Sequence, residues 1–464
     1  MEPIDHHSHT DIFILPILSR FLLYAPLHGL AALVDLTAAR QLRKRLASRD
    51  WDLTGPLGEV FRSLAEEREP APLPRQGSFV PSFLGLLPTR GCNLGCRYCG
   101  FQTGTDGERV MSLDLARDAV TWYMDAVEQA GVQQAEVHFF GGEPFCAEEV
   151  LDLAVHLARR RATEIGCTLA FEVATNGVFD EARARWAADN LDTVVLSLDG
   201  PPDIQNRHRP YRGGQPSFEE VARTARVLSE GTSDLCIRAC VTDETVERIP
   251  ELAAWFCEQF RPGSICFEPL QPSPESEAAG LRPPDAWDFA SQFIRAAPVL
   301  ESHGVRPVHA AADIQTKRVT FCPVGRDAAI VSPDSTISAC YLLQRDWEAK
   351  GLDLRLGRME GASARLDSDA IASVRGLNVY NKPVCARCFC KYHCAGGCHV
   401  NHGPRGPQGG YDRLCIQTRI IAVRNVLAAM EQDDLVRAWV SQREVAEAAI
   451  GQPSDLLVDL EASA

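Results

Sequence analysis

The stretch that determines the fold reads TRGCNLGCRYCGF, residues 89–101, and it places Cys92, Cys96 and Cys99 within eight positions. It follows an apolar run, SFLGLLPT at 82–89, that is typical of a buried strand. A structural zinc ion and an ordinary iron–sulfur cube each take four protein ligands, one more than this loop offers. Three thiolates can instead hold three irons of a [4Fe–4S] cube and leave the fourth iron open to a small molecule. Half of a zinc site is the alternative interpretation.

Strands and helices alternate regularly from residue 81 to about residue 300. Helical segments separate six apolar runs that predict strands: SFLGLLPT at 82–89, AEVHFFGG at 135–142, TLAFEVATN at 168–176, TVVLSLDG at 193–200, LCIRACVTD at 235–243 and SICFEPLQ at 264–271. This pattern predicts an α/β fold with a parallel sheet and crossover helices, arranged as a partial (β/α)6, TIM-like barrel. Such barrels keep their functional residues at the C-terminal ends of the strands, where the cysteine stretch begins.

Composition narrows the class of protein. The 464 residues carry a formal net charge of −15, which argues against nonspecific nucleic-acid binding. Eleven of the 17 cysteines crowd into two segments, a pattern that favours metal ligation in a reducing compartment over a disulfide framework. The apolar run at 11–35 is interrupted by Arg20, His28 and two prolines, so no membrane span is expected. Without a basic segment and cleavage site before that run, we predict a cytoplasmic protein.

The Cys-x3-Cys-x2-Cys spacing of Cys92, Cys96 and Cys99 resembles that of the radical S-adenosylmethionine (SAM) enzymes. The resemblance implies a [4Fe–4S] cluster on these three cysteines, with SAM chelating the open iron through its amino and carboxylate groups. It also implies reductive cleavage of SAM to methionine and a 5′-deoxyadenosyl radical that abstracts hydrogen from the substrate. The missing fourth ligand is then the cofactor itself.

Further motifs match the same family and imply contacts with SAM. Tyr98 occupies the position that packs against the adenine. The FGGEP motif, with Gly141, Gly142 and Glu143, matches the one that binds the SAM amino group. Two glycines let backbone carbonyls approach an ammonium group, and a carboxylate helps to neutralise it. An ordinary turn between strand and helix is the alternative for this motif taken alone.

Two later strand ends add three residues to the implied SAM site. The third predicted strand ends in ATNG, which contains Asn176. The fourth ends in SLDGPPDIQNRHR, where related enzymes place Ser197 at the ribose and Arg209 at the carboxylate. Asp199 and Gly200 in that segment also match any tight turn.

The second group of cysteines resembles the SPASM extension of radical SAM enzymes that modify peptides and proteins. The resemblance implies two auxiliary [4Fe–4S] clusters, and hence three clusters in all. Its outer set is Cys385, Cys388, Cys394 and Cys415, and its inner set is Cys322, Cys340 and Cys398. Seven positions match where some members have eight, so the inner set is one thiolate short. Zinc is the alternative for Cys-x2-Cys pairs, and we predict a packing role for Cys390.

Residues 1–80 read as short strands followed by helices. This order resembles the winged-helix-like module that binds leader peptides on enzymes of ribosomal peptide natural products. The physical rationale is strand addition, in which an exposed edge strand pairs with an extended peptide. A degenerate cap over the barrel is the alternative. The predicted domains are thus 1–80 for leader recognition, 81–310 for the barrel, 311–425 for the SPASM clusters and 426–464 for a helical tail.

Together the resemblances imply a peptide maturase that forms a C–C or thioether crosslink in a ribosomally made precursor peptide. An electron donor such as flavodoxin or ferredoxin is the other implied partner, and neither nucleic acid nor membrane is expected. One alternative is a maturase of the anaerobic sulfatase-maturating type, which oxidises Cys or Ser of another protein to formylglycine. Another is a non-catalytic iron–sulfur protein. Asp199, His208, Tyr211 and Glu268 all lie near strand ends, and the sequence does not rank them as a substrate base.

Overall fold

The computed structural model describes residues 11–48, 57–65, 68–103, 110–402 and 410–451. The strands are β1 Phe13–Ile17, β2 Arg20–Ala25, β3 Leu30–Val34, β4 Leu84–Leu86, β5 Gln134–Phe139, β6 Thr168–Thr175, β7 Thr193–Ser197, β8 Asp234–Val241, β9 Ser264–Pro269, β10 Arg306–Val308, β11 Ala329–Val331, β12 Thr336–Ser338, β13 Arg355–Glu360 and β14 Ser363–Leu366.

The helices are α1 Leu36–Ser48, α2 Gly58–Ala65, α3 Leu113–Gln129, α4 Glu148–Ile165, α5 Glu181–Asn190, α6 Pro202–His208, α7 Phe218–Glu230, α8 Ile249–Phe260, α9 Pro274–Ala278, α10 Ala286–Ser302, α11 Gln344–Glu348, α12 Ser368–Arg375, α13 Lys391–Cys394, α14 Arg413–Ala429, α15 Asp433–Val440 and α16 Arg443–Ile450. None of the described helices has both the length and the apolar character that crossing a lipid bilayer demands.

The chain divides into two compact units, each assembled from segments that are distant in sequence. The first unit takes the described parts of Met1–Pro74, Ala310–Phe321 and Asn378–Ala464. The second takes those of Arg75–His309 and Cys322–Leu377. The domain boundaries given by the sequence stay predictions.

The second unit is built on one sheet, with the strand order β10-β9-β8-β7-β6-β5-β4-β11-β12-β13-β14. The strands from β4 to β10 run parallel, β11 is parallel to β4, and β12, β13 and β14 continue the sheet in antiparallel pairs. Helices follow most of the parallel strands, as crossover connections require. The predicted α/β fold with a central parallel sheet is therefore confirmed.

The sequence correctly predicts the strands β4 to β9 but misses the strands beyond them. In the sequence the regular alternation of strands and helices ends at about residue 300, whereas β11 to β14 extend the sheet beyond that point. Strands β11 and β12 have three residues each, too few to show a periodicity. They form because β11 pairs with β4 and β12 pairs with β11.

Helix α3 shows why the crossover segments are helical. The Ser112 side chain accepts a hydrogen bond from the Leu115 amide at 3.2 Å and so caps the helix. Its buried residues recur at helical spacing: Ala116, Ala119, Val120, Tyr123, Met124 and Val127. This apolar stripe packs against the sheet and α4.

The first unit contains a three-stranded antiparallel sheet in the order β1-β2-β3, followed by α1 and α2. This arrangement agrees with the strands and helices predicted for its N-terminal part. One face of the sheet, with Phe21 and Leu23, packs against Leu42 and Phe61 of the two helices. Residues 1–10, 49–56 and 66–67 of the predicted leader module lie outside the described residues.

The C-terminal half of the first unit is helical. The predicted tail forms the end of α14 and then α15 and α16, and it buries Trp439 and Ile450 completely. Residues 452–464 of that tail lie outside the described residues. Polar contacts join the N-terminal sheet to α13: Tyr24 Oη lies 2.6 Å from His393 Nε2, Tyr392 Oη donates to Asp11 at 2.6 Å, and Lys391 pairs with Asp11.

Candidate active site

The cysteine loop after β4 is held by the loops that follow β5 and β7. The amide of Gly95 donates to the Pro210 carbonyl at 2.7 Å, and that of Arg97 donates to the His208 carbonyl at 2.9 Å. On the other side, the amide of Glu143 donates to the Gly91 carbonyl at 2.8 Å. Backbone hydrogen bonds therefore fix this loop at the C-terminal ends of the parallel strands.

The thiols of Cys92, Cys96 and Cys99 lie close enough to influence one another. Burial raises the pKa of Cys92 and of Cys96 to about 12, and the neighbouring thiols of the triplet add to the increase. The Leu94 amide points at Cys92 Sγ from 3.4 Å. A compact group of sulfur donors with an amide directed at one of them fits an iron–sulfur cluster, which the thiols bind by releasing their protons.

Gly141 and Gly142 permit a close backbone approach to this loop. Gly141 has a φ of +148°, and a Cβ on it would lie 2.5 Å from the Thr89 carbonyl oxygen. A Cβ on Gly142 would lie 2.1 Å from the Gly91 carbonyl oxygen. The two glycines are thus required for the turn to pack on the cysteine loop. Their predicted role toward the SAM amino group stays a prediction.

We expect Gly142→Ala to destabilise the apo protein by about 1–3 kcal/mol, because the new methyl group overlaps the loop backbone. Urea unfolding measures the loss, and the iron content after reconstitution reports on the displaced loop. Gly410→Ala is the matched control, since a Cβ there meets nothing within 4 Å. Equal stability for the two variants would contradict the close approach.

Glu143 is 1% exposed and joins the ends of β5 and β6. Its carboxylate accepts hydrogen bonds from the Thr175 hydroxyl and the Asn176 amide, both at 2.7 Å, and from the Phe145 amide at 3.1 Å. Burial raises the pKa of Glu143 to about 7, against the effect of these hydrogen bonds. The carboxylate therefore organises the turn, and its predicted contact with SAM stays a prediction.

Asn176 links the end of β6 to the cysteine loop. Its Nδ2 donates to Asn93 Oδ1 at 2.8 Å and lies 3.5 Å from Cys92 Sγ. Asn93 in turn donates to the Val178 carbonyl at 2.8 Å. The predicted residues Asn176 and Cys92 are thus brought together, and Asn93, which the sequence did not single out, connects them.

Asp199, which follows β7, is a buried hub for two predicted SAM contacts. Its carboxylate accepts from Arg209 Nε at 2.9 Å, from Tyr98 Oη at 2.7 Å and from the Cys240 amide at 2.9 Å. His208 Nδ1 lies 3.2 Å away. Burial alone would raise the pKa of Asp199, but Arg209 and His208 hold it well below its usual range. Asp199 is therefore an anion that orients Tyr98 and Arg209 rather than a proton acceptor.

Ser197 is the last residue of β7 and lies beside Arg238 of β8 in the register of the sheet. Arg238 forms an ion pair with Glu268 of β9, the neighbouring strand. Burial lowers the pKa of the nearby His309 to about 4, although Glu268 opposes the shift. Neither Arg238 nor His309 stood out in the sequence as a site residue. The sequence contained a pattern that could have identified Arg238. Polar residues alternate with apolar ones along β8, which places Arg238 on the polar face of the strand.

The outer cysteine set surrounds a cavity in the first unit. Cys385, Cys388, Cys394 and Cys415 line a small cavity. Cys390, for which a packing role was predicted, lines the same cavity. A hydrogen bond from Cys390 lowers the pKa of Cys388, and the charge of Arg419 acts in the same direction. A buried pocket with sulfur donors on its walls fits an iron–sulfur cluster.

His402 and Asp412 adjoin the outer set at Cys415. His402 Nδ1 lies 2.7 Å from Asp412 and 3.7 Å from Cys415 Sγ, and the ligand atoms of these three residues all lie within 4.8 Å of one another. The Asn401 amide points at Cys398 Sγ from 3.4 Å. Cys398 belongs to the first unit and Cys322 and Cys340 to the second, so the inner set stays a prediction.

Comparison with known proteins agrees with this geometry. The chain is 28% identical over 208 residues to the cysteine-type anaerobic sulfatase-maturating enzyme of Clostridium perfringens, a match that covers 43% of this chain and 55% of that protein. It therefore spans little more than half the length of that relative.

Solved structures show the same fold. The native anSMEcpe structure with bound AdoMet and Cp18Cys peptide matches with a TM-score of 0.58 and 18% identity, over 76% of this chain and 99% of that one. Streptococcus suis SuiB bound to S-adenosylmethionine matches with a TM-score of 0.51 and 15% identity, over 88% and 99%.

The family model of the radical SAM superfamily matches residues 86–256. This range contains the cysteine triplet, the Gly141–Glu143 turn, Asn176, and the hub of Asp199 with Tyr98 and Arg209. Residues 86–256 therefore match the radical SAM superfamily, in the part of the chain that holds the candidate site.

Proposed function

We propose that this chain is a radical SAM maturase that oxidatively crosslinks a ribosomally made precursor peptide. The radical SAM match over residues 86–256 implies SAM and a [4Fe–4S] cluster, which together supply a 5′-deoxyadenosyl radical able to remove hydrogen from carbon. The observation that carries the proposal is the convergence of the loops after β4, β5, β6 and β7. Their contacts gather Cys92, Glu143, Asn176 and Asp199 at one edge of the sheet.

Within this proposal, Cys92, Cys96 and Cys99 hold the cluster and a further group of residues binds SAM. The Asp199 carboxylate supports two of these, because it fixes the Tyr98 ring and the Arg209 guanidinium, which lies 5.3 Å from the ring centroid. Side chains that are already held in position lower the entropic cost of orienting a bound ligand. The proposed SAM contacts are Tyr98, Gly141, Gly142, Glu143, Asn176, Ser197 and Arg209.

We further propose two auxiliary [4Fe–4S] clusters, which bring the total to three. The outer set Cys385, Cys388, Cys394 and Cys415 has the cavity described above in its favour. The inner set Cys322, Cys340 and Cys398 has three thiolates, so its fourth ligand is another group or the substrate. Crosslinking removes two hydrogens from the peptide: one leaves as an atom to the radical, the other as a proton together with an electron. The auxiliary clusters are the proposed acceptors of that electron.

The partners of this function are a precursor peptide and an electron donor such as flavodoxin or ferredoxin. The solved anSMEcpe carries a peptide together with AdoMet, which supports a peptide substrate for this fold. The N-terminal sheet is the proposed leader-binding module. Strand β1 contacts α16, whereas β3 pairs with β2 and its residues Leu30–Leu33 remain partly exposed. The edge of β3 is therefore the better candidate for strand addition.

Leader binding by strand addition predicts a specific change in amide hydrogen exchange. We expect the precursor peptide to slow exchange at several amides of β3 by about tenfold or more, because new main-chain hydrogen bonds must open before exchange. Exchange in α15 is the internal control and is expected to stay unchanged. Protection confined to β1, or absent from the whole sheet, would contradict this placement.

The test of the proposed reaction is mass spectrometry of the peptide encoded beside this gene, after co-expression with the protein. We expect a loss of two hydrogens, with fragmentation interrupted between the crosslinked residues. A Cys92→Ala variant expressed with the same peptide is the control for background oxidation. An unmodified peptide from cells that make folded, cluster-bearing enzyme would contradict the proposal.

A second candidate is formylglycine formation on another protein, favoured by the likeness to the Clostridium perfringens enzyme. The product would then be an aldehyde that reacts with a hydroxylamine probe, whereas a C–C or thioether crosslink does not. A sulfatase gene beside this one would favour that candidate. A non-catalytic iron–sulfur protein is the third possibility, and it predicts no 5′-deoxyadenosine when the reduced protein meets SAM.

A further inference from the structure

A buried cation lies beside the outer set in the first unit, and none of the roles proposed above uses it. The Arg419 side chain is 1% exposed and follows Cys415 by about one turn of α14. Its Nη1 donates to Cys388 Sγ at 3.0 Å, and its Nε donates to the Ile450 carbonyl at 2.8 Å. The guanidinium is thus held at two points, one of which is the sulfur of a proposed cluster ligand.

Two aromatic rings enclose the same guanidinium. Its Cζ lies 4.7 Å from the ring centroid of Phe389 and 4.2 Å from that of Tyr411. Both rings exclude water and stabilise the cation through their faces. An arginine stays charged in proteins, and a buried charge is costly unless an opposite charge compensates it. The thiolate ligands of an iron–sulfur cluster supply such a charge.

We infer that Arg419 raises the reduction potential of the outer cluster by donating to the Cys388 sulfur. This inference rests on the proposed function, in which the outer set holds a [4Fe–4S] cluster. Reduction adds a negative charge, so a fixed positive charge and an N–H donor at the sulfur stabilise the reduced state more than the oxidised one. A raised potential suits a cluster that accepts the electron released during crosslinking.

The test is an EPR-monitored redox titration of the full chain in which Cys92, Cys96 and Cys99, together with Cys322 and Cys340 of the inner set, are replaced by alanine. These replacements remove the signals of the other two proposed clusters. In that background we compare Arg419→Gln, which removes the charge, with Arg419→Lys, which keeps the charge but loses the planar fork. For Arg419→Gln we expect the ratio of reduced to oxidised outer cluster, at a fixed potential, to fall about tenfold, as for the loss of one charged hydrogen bond. Arg419→Lys is expected to lower the ratio less.

Arg424→Gln is the matched control. Arg424 is a second buried arginine of α14, and its Nη1 donates to Asn425 at 3.2 Å. We expect it to leave the potential unchanged. If Arg419→Gln destabilised the protein but kept the wild-type reduction potential, Arg419 would be a packing residue and the inference would be wrong. Should Arg419→Gln not fold, the same result for Arg419→Lys would lead to the same conclusion. Iron analysis separates a failure of this inference from a failure of the proposed function. Protein that holds no cluster at the outer set would overturn the proposed auxiliary cluster as well as the role of Arg419.

Discussion

Replacing Cys92 with alanine is expected to abolish 5′-deoxyadenosine formation, with a decrease of at least about a thousandfold. The stability of thiolate metal sites comes from their ligands, about 10–16 kcal/mol for a whole structural zinc site, so the loss of one ligand in three removes a large part of it. Cys92 also has the Leu94 amide and the Asn176 side chain directed at its sulfur, two contacts that an alanine cannot keep. Chromatographic quantification of 5′-deoxyadenosine after anaerobic reduction in the presence of SAM measures the effect.

Cys146→Ala is the matched control for that experiment. Its thiol is exposed, follows the Gly141–Glu143 turn and is close enough to Cys92 to contribute to the raised pKa of that thiol. The proposed ligand set does not include it, so we expect normal iron content and normal SAM cleavage. If Cys92→Ala and Cys146→Ala lost iron and SAM cleavage equally, replacing any thiol near the loop would have the same effect. Cys92 would then have no special role as a ligand.

The largest expected loss of stability comes from Asp199→Ala. The side chain of Asp199 is 0% exposed and that of its partner Arg209 is 11% exposed. Removing the carboxylate leaves the guanidinium, the Tyr98 hydroxyl and the Cys240 amide without a shared acceptor. Loss of one partner of a buried ion pair typically costs about 3–5 kcal/mol. We expect a loss of that size in the free energy of unfolding, measured by urea denaturation of the apo protein.

Asp203→Ala is the matched control for the stability of Asp199→Ala. Asp203 pairs with Arg248, but its side chain is 64% exposed, and such surface pairs contribute about 0–1 kcal/mol. A small and similar loss in both variants would show that the Asp199 hub is not a buried electrostatic centre. A variant that keeps its stability but loses SAM affinity would assign Asp199 a purely functional role.

Local motifs made the cysteine loop predictable. Three cysteines within eight positions and the turn at Gly141–Glu143 are short-range patterns, so both can be recognised in the sequence without knowledge of the fold. The strands β4 to β9 were equally accessible, because each is an apolar run between two amphipathic helices. Strands β11 and β12 were not, because three residues carry no periodicity and their pairing partners lie elsewhere in the chain.

Long-range contacts explain why the sequence did not distinguish Asp199 from the other polar residues near strand ends. Asp199 is separated from Tyr98 by 101 positions and from Cys240 by 41, so its burial and its hydrogen bonds come from the fold rather than from its neighbours in sequence. In the sequence, Asp199-Gly200 matches an ordinary turn. Arg419 was missed for a related reason, since an arginine on a mixed polar and apolar helix usually faces solvent. Only the approach of Phe389, Tyr411 and Cys388 makes it a buried residue.

The most direct test of the account is one measurement on the anaerobically reconstituted, reduced wild-type protein: 5′-deoxyadenosine released from SAM, quantified alongside iron and zinc. The account predicts 5′-deoxyadenosine at every time point and iron as the bound metal, with the Cys92, Cys96 and Cys99 loop holding a cluster that SAM perturbs in its EPR spectrum. Zinc bound to that loop, or a cluster whose spectrum ignores SAM and yields no 5′-deoxyadenosine, would contradict it.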